Sequence, residues 1–160
     1  MHIFEKLLFF SIFLSRYLTI VPYAVPHMTT CNTELDGHII PEGTMVWPNL
    51  WELHHDEKVW GDPFVFRPER YLDESGCLVA ADHPVRKHNL VFSAGPRVCP
   101  GEVFAMSRMF LMLATLIQSF EILPGTTLAE QASCDCRDMV MGLVMMPPPC
   151  YVRFISREKE

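Results

Sequence analysis

Apolar and polar positions change their spacing several times along the chain, and each change marks a different expected element. Leu7 to Leu14 reads LLFFSIFL, a continuous apolar run behind Glu5 and Lys6. It is too short to cross a bilayer, and Arg16 and Pro22 interrupt any extension. It has the length of a signal-peptide apolar segment, yet no small-x-small cleavage site follows it. Residues 16–48 alternate short apolar runs with turn signals at Asp36-Gly37, Pro41 and Glu42-Gly43, which predicts a small hairpin rather than a helix. Pro48 to Leu53 begins a short helix. Residues 54–90 are rich in His, Asp, Pro and Gly with little periodicity, a length of irregular chain that is usually functional.

The clearest helix is 101–120. Val103, Phe104, Met106, Phe110, Leu111, Leu113, Ala114, Ile117 and Phe120 cover much of its circumference, which predicts a buried core helix. In the tail, 139–144 and 151–155 read as strands separated by Pro147-Pro148-Pro149. The fold class expected is mainly α with small β-sheets and much coil.

Composition narrows the function more than the fold. The 160 residues suffice for one domain with a core, 49% hydrophobic and 20% charged. Thirteen Lys and Arg against nineteen Asp and Glu leave a net charge of −6, so no basic excess exists to neutralise nucleic-acid phosphates. Thirteen prolines agree with the long irregular stretches. The six cysteines are dispersed without secreted disulfide spacing, which favours a reducing compartment.

The chemistry concentrates in Phe92-Ser93-Ala94-Gly95-Pro96-Arg97-Val98-Cys99-Pro100-Gly101. Cys99 stands immediately before the long helix, with Pro100 where a missing N–H is harmless. A helix N-terminus offers free N–H groups and partial positive charge to whatever precedes it. Both favour thiolate over thiol, and the thiolate is the metal-ligating form. Gly95 permits a tight turn and Gly101 a close approach to a flat ligand. Arg97 has the charge to meet an anionic group at that ligand's edge, and Phe92 the bulk to keep water from the sulfur. A buried structural cysteine before a helix is the commoner arrangement in general. Phe, Gly, Arg, Cys and Gly at five fixed positions should nevertheless recur by chance at a rate on the order of 10⁻⁵ in such a chain.

At these residues the chain resembles the cytochrome P-450 family, whose heme-binding loop reads Phe-x-x-Gly-x-Arg-x-Cys-x-Gly. Phe66-Arg67-Pro68-Glu69-Arg70-Tyr71-Leu72 is similar to the family's Pro-Glu-Arg-Phe motif, and the coil around it to the meander preceding the heme loop. Asn49 to Trp60 resembles the animal microsomal branch, including steroid 17-hydroxylases. The resemblance runs from about Arg16 to the end. It implies a partial cytochrome P-450 fold: the end of the K helix, the meander, the heme loop, the L helix and a C-terminal β-hairpin.

The resemblance also implies roles. Cys99 is the axial ligand of heme iron, heme b being the cofactor, and His27 and Arg97 meet its propionates. Phe92, Gly95 and Gly101 complete the heme cradle. Arg16, Glu69 and Arg70 are structural. Val21, Tyr23, Ala24, Val25, Met141 and Leu143 line a substrate pocket. The implied reaction inserts one oxygen atom from O₂ into a lipophilic steroid, fatty acid or xenobiotic. Electrons come from NADPH through a flavoprotein reductase, at the cytoplasmic face of the endoplasmic reticulum membrane.

One departure stands out. The K helix of the family carries Glu-x-x-Arg ending at Arg16, but position 13 is Phe13. Without that Glu, Arg16 and Arg70 are expected to face each other with no carboxylate, which low-dielectric surroundings penalise. Residues 1–15 therefore read as a non-family stretch, in one reading a translated intron, since pyrimidine-rich codons specify the Phe, Leu and Ser of residues 7–15 and a pyrimidine-rich tract ends an intron. Residues 16–160 read as the C-terminal part of a monooxygenase domain, with the I helix and the distal heme wall lying upstream. On that view the long helix exposes apolar faces and the chain alone does not hydroxylate.

Two rivals remain. One is a non-catalytic truncated isoform or heme-binding fragment that modulates a full-length partner. The other, a zinc or structural module, rests only on Cys134 and Cys136, a lone C-x-C without a second pair. His54-His55-Asp56 is no better as a metal site, because adjacent side chains diverge.

Overall fold

The computed structural model describes residues 3–127 and 135–157, with side chains from residue 10 onward. Five helices and six short strands are described. Helix α1, Ile3–Leu18, runs unbroken through the boundary expected at residue 15. It stops where Thr19 takes a left-handed φ of 39° and turns its N–H onto the Ser15 carbonyl (3.1 Å). Pro22, buried a turn further on, cannot continue a helix.

The chain then forms two small antiparallel pairs. β1 (His27–Met28) pairs with β4 (Met45–Val46), and β2 (Thr33–Leu35) with β3 (His38–Ile40). Asp36 (φ 50°) and Gly37 (φ 79°) both hold positive φ between β2 and β3, the two-residue turn whose twist suits a hairpin. The expectation of a hairpin here is met, framed by a second strand pair.

Short capped helices follow. α2 (Leu50–His55) starts where the Asn49 side chain accepts the Glu52 N–H (3.1 Å), and α3 (Glu57–Trp60) where Asp56 accepts that of Lys58 (2.8 Å). A 3-10 turn at Pro68–Tyr71 and α4 (Pro84–Lys87) punctuate the remaining coil. Among the described residues the core forms where α1 meets α3, that 3-10 turn and the loop after residue 135. It consists of Phe13, Tyr17, Trp60, Tyr71, Cys136, Met139 and Met145. Phe13 stacks on Tyr17 with ring centroids 5.6 Å apart and meets Phe66 edge-on at 4.8 Å. Full burial of such rings contributes about 1.5–3 kcal/mol each.

Helix α5, Glu102–Ser119, forms where expected but not as a core helix. None of its residues is buried, and Val103 and Phe104 are 79% and 66% exposed. Its circumference is apolar, but among the described elements it lies chiefly against α1 and its own following strand. That strand, β5 (Phe120–Pro124), pairs antiparallel with β6 (Val152–Ser156), from Phe120 opposite Ser156 to Pro124 opposite Val152. The C-terminal strand is thus present, with a partner distant in sequence. Residues 139–144 are not a strand. One bridge between Val140 and Met146 closes them into a loop instead, and the Met145 N–H goes to the Ile20 carbonyl (2.6 Å).

Candidate cofactor site

The loop ahead of α5 is built by backbone hydrogen bonds. Ser93, at φ 67°, gives its N–H to the Leu90 carbonyl (2.8 Å), reversing the chain after Phe92. The Cys99 N–H closes the loop on the Phe92 carbonyl (2.8 Å). Between them Gly95 (φ 75°) begins a 3-10 turn, Gly95–Arg97, with the Val98 N–H on the Gly95 carbonyl (3.1 Å). A side chain at that φ would be strained, so this glycine is required by conformation. Gly101 caps α5. A Cβ there would lie 3.7 Å from the Cys99 sulfur, ordinary contact distance, so Gly101 is not required by crowding within the chain.

Phe92, Gly95, Arg97, Cys99 and Gly101 are thus gathered on one loop. Cys99 and Arg97 are exposed and Phe92 is half-buried. Phe92 turns toward an open cleft of about 530 Å³ between α1 and the first half of α5, with Ile12, Val91, Met106 and Phe110 among its walls. An exposed thiol on a tight loop at the start of a long helix, with an exposed guanidinium two residues before it, offers one metal-ligating atom and one cation for an anionic group.

The other expected site residues sit on other segments. His27 is exposed on β1, and no hydrogen bond or ion pair among the described residues joins it to Arg97. Val21, Tyr23 and Val25 are exposed, whereas Ala24 is buried. Met141 and Leu143 are exposed on the loop that the bond between Met145 and Ile20 draws against residue 20, so the two halves of the expected pocket are tethered together.

Arg16 is wholly buried. Its Nη1 donates to the carbonyls of His54 (2.9 Å) and Pro63 (3.0 Å), while Nε and Nη2 have no partner. Its guanidinium lies 4.8 Å from the Trp60 ring centroid and 5.8 Å from those of Phe13 and Tyr17. Burial pulls its pKa down to about 10, and nearby Arg70 pulls the same way. The expected deficit of a carboxylate is real for Arg16 but not for Arg70. Arg70 reaches Asp62 Oδ1 (3.0 Å) and the carbonyls of Trp60 (2.9 Å) and Asp62 (3.1 Å). Glu69 stands exposed beside it, and the carboxylate that Arg70 meets is that of Asp62, outside the motif.

Two histidines that looked like ordinary loop residues prove to be interior. His54 is fully buried between Thr19 and Leu90. His55 stacks between Trp51 (4.0 Å) and Phe64 (5.0 Å), with Nδ1 near the Trp51 carbonyl (2.9 Å) and Nε2 3.6 Å from the Cys136 sulfur. Burial pushes the Cys136 thiol up and the His55 imidazole down, so the pair is neutral. Their adjacency in sequence concealed this, since two neighbours bind different segments far along the chain. Among the described residues no cluster of three metal-ligating side chains occurs. Cys134 lies outside the described residues, and Cys136 is buried.

A cysteine loop of this form ahead of a long helix fits proteins that bind a metal-centred cofactor through thiolate. The chain belongs to the cytochrome P-450 family: the family model described as Cytochrome P-450 matches residues 15–154. It is 44% identical over 114 residues to cytochrome P-450 1A1 of Oryctolagus cuniculus, covering 70% of this chain and 21% of that protein. It is 39% identical over 143 residues to cytochrome P-450 2U1 of Homo sapiens (89% and 24%). With cytochrome P-450 1A1 of Opsanus tau the identity is 38% over 148 residues (90% and 26%). The chain therefore spans about a quarter of the length of these relatives. They are of the 1A and 2U1 types and lend no support to the narrower likeness to steroid 17-hydroxylases. No helix among the described residues is long and apolar enough to cross a membrane.

Proposed function

We propose that this chain is the heme- and iron-binding C-terminal part of a monooxygenase that inserts one oxygen atom from O₂ into a lipophilic substrate. The observation that carries the reading is the exposed Cys99 on a loop closed by its own N–H onto Phe92, directly ahead of α5. Cys99 would be the iron ligand, Arg97 and His27 the partners of the propionates, and Gly95 and Gly101 the places where backbone meets the flat face. Phe92 would shield the sulfur. A thiolate-ligated heme, when bound, supplies oxygen activation, because the sulfur's electron density favours O–O cleavage. The chain's own part is to present the sulfur at a fixed place ahead of α5, on a loop closed by backbone hydrogen bonds. Residues 20–25 and the loop of Met141 and Leu143 would contribute one wall of the substrate site.

In the longer proteins of the family, electrons would come from NADPH through a flavoprotein reductase at the endoplasmic reticulum membrane. The deciding experiment is the carbon monoxide difference spectrum of the 160-residue chain, reconstituted with heme and reduced, beside Cys99→Ala. A red-shifted Soret band lost in the variant is the expected result, and its absence removes the claim that these residues hold heme unaided. We expect no product above the Cys99→Ala control in a turnover assay with reductase and candidate steroids or fatty acids. Hydroxylated product would overturn that.

The α5 surface favours a second reading, a heme-binding or heme-free isoform without catalysis, since its apolar side chains lie open. Residues 1–15 as translated intron remain a proposal, which the transcript decides. A message joining upstream coding sequence directly before Arg16 supports it, and one beginning as this chain does removes it.

A further inference from the structure

Thr19 ends helix α1 in a conformation that suits glycine. Its φ of 39° is left-handed, and a β-branched residue there is strained. The strain is held in place by its hydroxyl, which donates to the Arg16 carbonyl (2.6 Å) and meets His54 Nδ1 (3.0 Å), all fully buried. On the other side of the same ring, Nε2 lies 3.0 Å from the Leu90 backbone nitrogen. A backbone N–H can only donate, so Nε2 is the lone-pair nitrogen and Nδ1 bears the proton. Each partner is then satisfied in one direction: Leu90 to His54, His54 to Thr19, Thr19 to Arg16. Arg16 closes the circuit by donating Nη1 to the His54 carbonyl (2.9 Å).

Leu90 is the root of the cysteine loop, since its carbonyl takes the Ser93 N–H that turns the chain, and Phe92 then takes that of Cys99. We propose that His54, locked as the Nδ1–H tautomer, is a positioning residue that fastens the root of the Cys99 loop to the end of helix α1. Thr19 accepts its strained backbone as part of that fastening. Asn89 Nδ2 on the Ile12 carbonyl (3.0 Å) makes a second tie between the same two segments. The purpose of the fastening rests on the proposed function, whereas its geometry does not.

The test uses the full chain, ¹⁵N-labelled, without heme. Two-bond nitrogen–proton couplings of the wild-type ring report the tautomer directly. Nδ1–H at neutral pH is expected, and Nε2–H overturns the proposal whatever any variant does. Amide exchange is then compared in His54→Leu and His54→Gln, the latter retaining an acceptor for Leu90. Loss of the latch should speed exchange at Leu90 and Cys99 by roughly tenfold, the worth of one buried hydrogen bond. Tyr71 should keep its protection, and Gln should restore most of the loss. Equal exchange at Leu90 and Cys99 in wild type and His54→Leu overturns the proposal. If these readouts hold but no Cys99-dependent carbon monoxide band forms, the latch stands and the claim that these residues hold heme unaided falls.

Discussion

The molecule has two halves of opposite character. Around the end of α1, Phe13, Arg16, Tyr17, His54, Trp60, Tyr71 and Cys136 are buried against one another, although they come from segments up to 123 residues apart (136 − 13). Around α5 and the cysteine loop, no helix residue is buried and the loop is fixed mainly by its own backbone. The difference teaches that the frame behind the site is self-contained, while the face that carries Cys99 is laid out for a covering that these segments do not provide. Stability should reside in the first half and ligand chemistry in the second.

The largest test of that contrast is a pair of truncations. Tyr71→Ala should cost about 3–5 kcal/mol in urea unfolding, whereas Phe104→Ala should stay within about 0.5 kcal/mol. Comparable losses at both positions would mean that α5 belongs to the core after all. Next comes the orphaned cation. Phe13→Glu gives the free Nε and Nη2 of Arg16 a carboxylate one helical turn away. In a double-mutant cycle with Arg16→Leu, the new pair should show favourable coupling of about 3 kcal/mol, because a lone buried Glu is far costlier than a paired one. Coupling near zero would show that the aromatic rings around Arg16 have already replaced the carboxylate.

These expectations show what was legible. The cysteine loop was readable because its information is local, five residues within ten positions. The extent of α5 was readable from its period, but the period alone misjudged its burial; only the reading of a partial domain anticipated that its apolar faces lie open. Phe13 correctly announced a missing carboxylate for Arg16. It gave no hint that Asp62, in irregular chain, would serve Arg70. The interior roles of His54 and His55 depend on contacts with Thr19, Leu90 and Cys136, separations over which no periodicity operates. β5 was hidden for the same reason, since its partner strand begins 28 residues after it ends (152 − 124).

A smaller effect is acid-dependent. Burial, with His55 and Arg16 adding repulsion, pulls the His54 pKa from 6.5 down to about 3. The unfolded chain therefore binds the proton more readily than the folded one. The neutral ring's contribution is fully present above pH 6.5 and is lost progressively as pH falls toward 3. Urea midpoints should decline over that window in the wild type and less steeply in His54→Gln. Equal slopes would indicate that another group, such as His55, carries the acid sensitivity. The smallest effect belongs to the surface pair of Arg67 and Asp62 (2.8 Å), where Arg67→Ala should cost at most about 0.5 kcal/mol. A larger loss would place this salt bridge within the frame.

Cys136 has a practical consequence. Cys31, Cys77, Cys99 and Cys150 are open to solvent, whereas Cys136 is sealed beside His55. A brief pulse of an alkylating reagent should mark the open thiols of the folded chain and spare Cys136. Its late labelling would then time the moment the frame comes apart. The protein thus carries an internal clock for its own opening, and early labelling of Cys99 marks the zero of that clock.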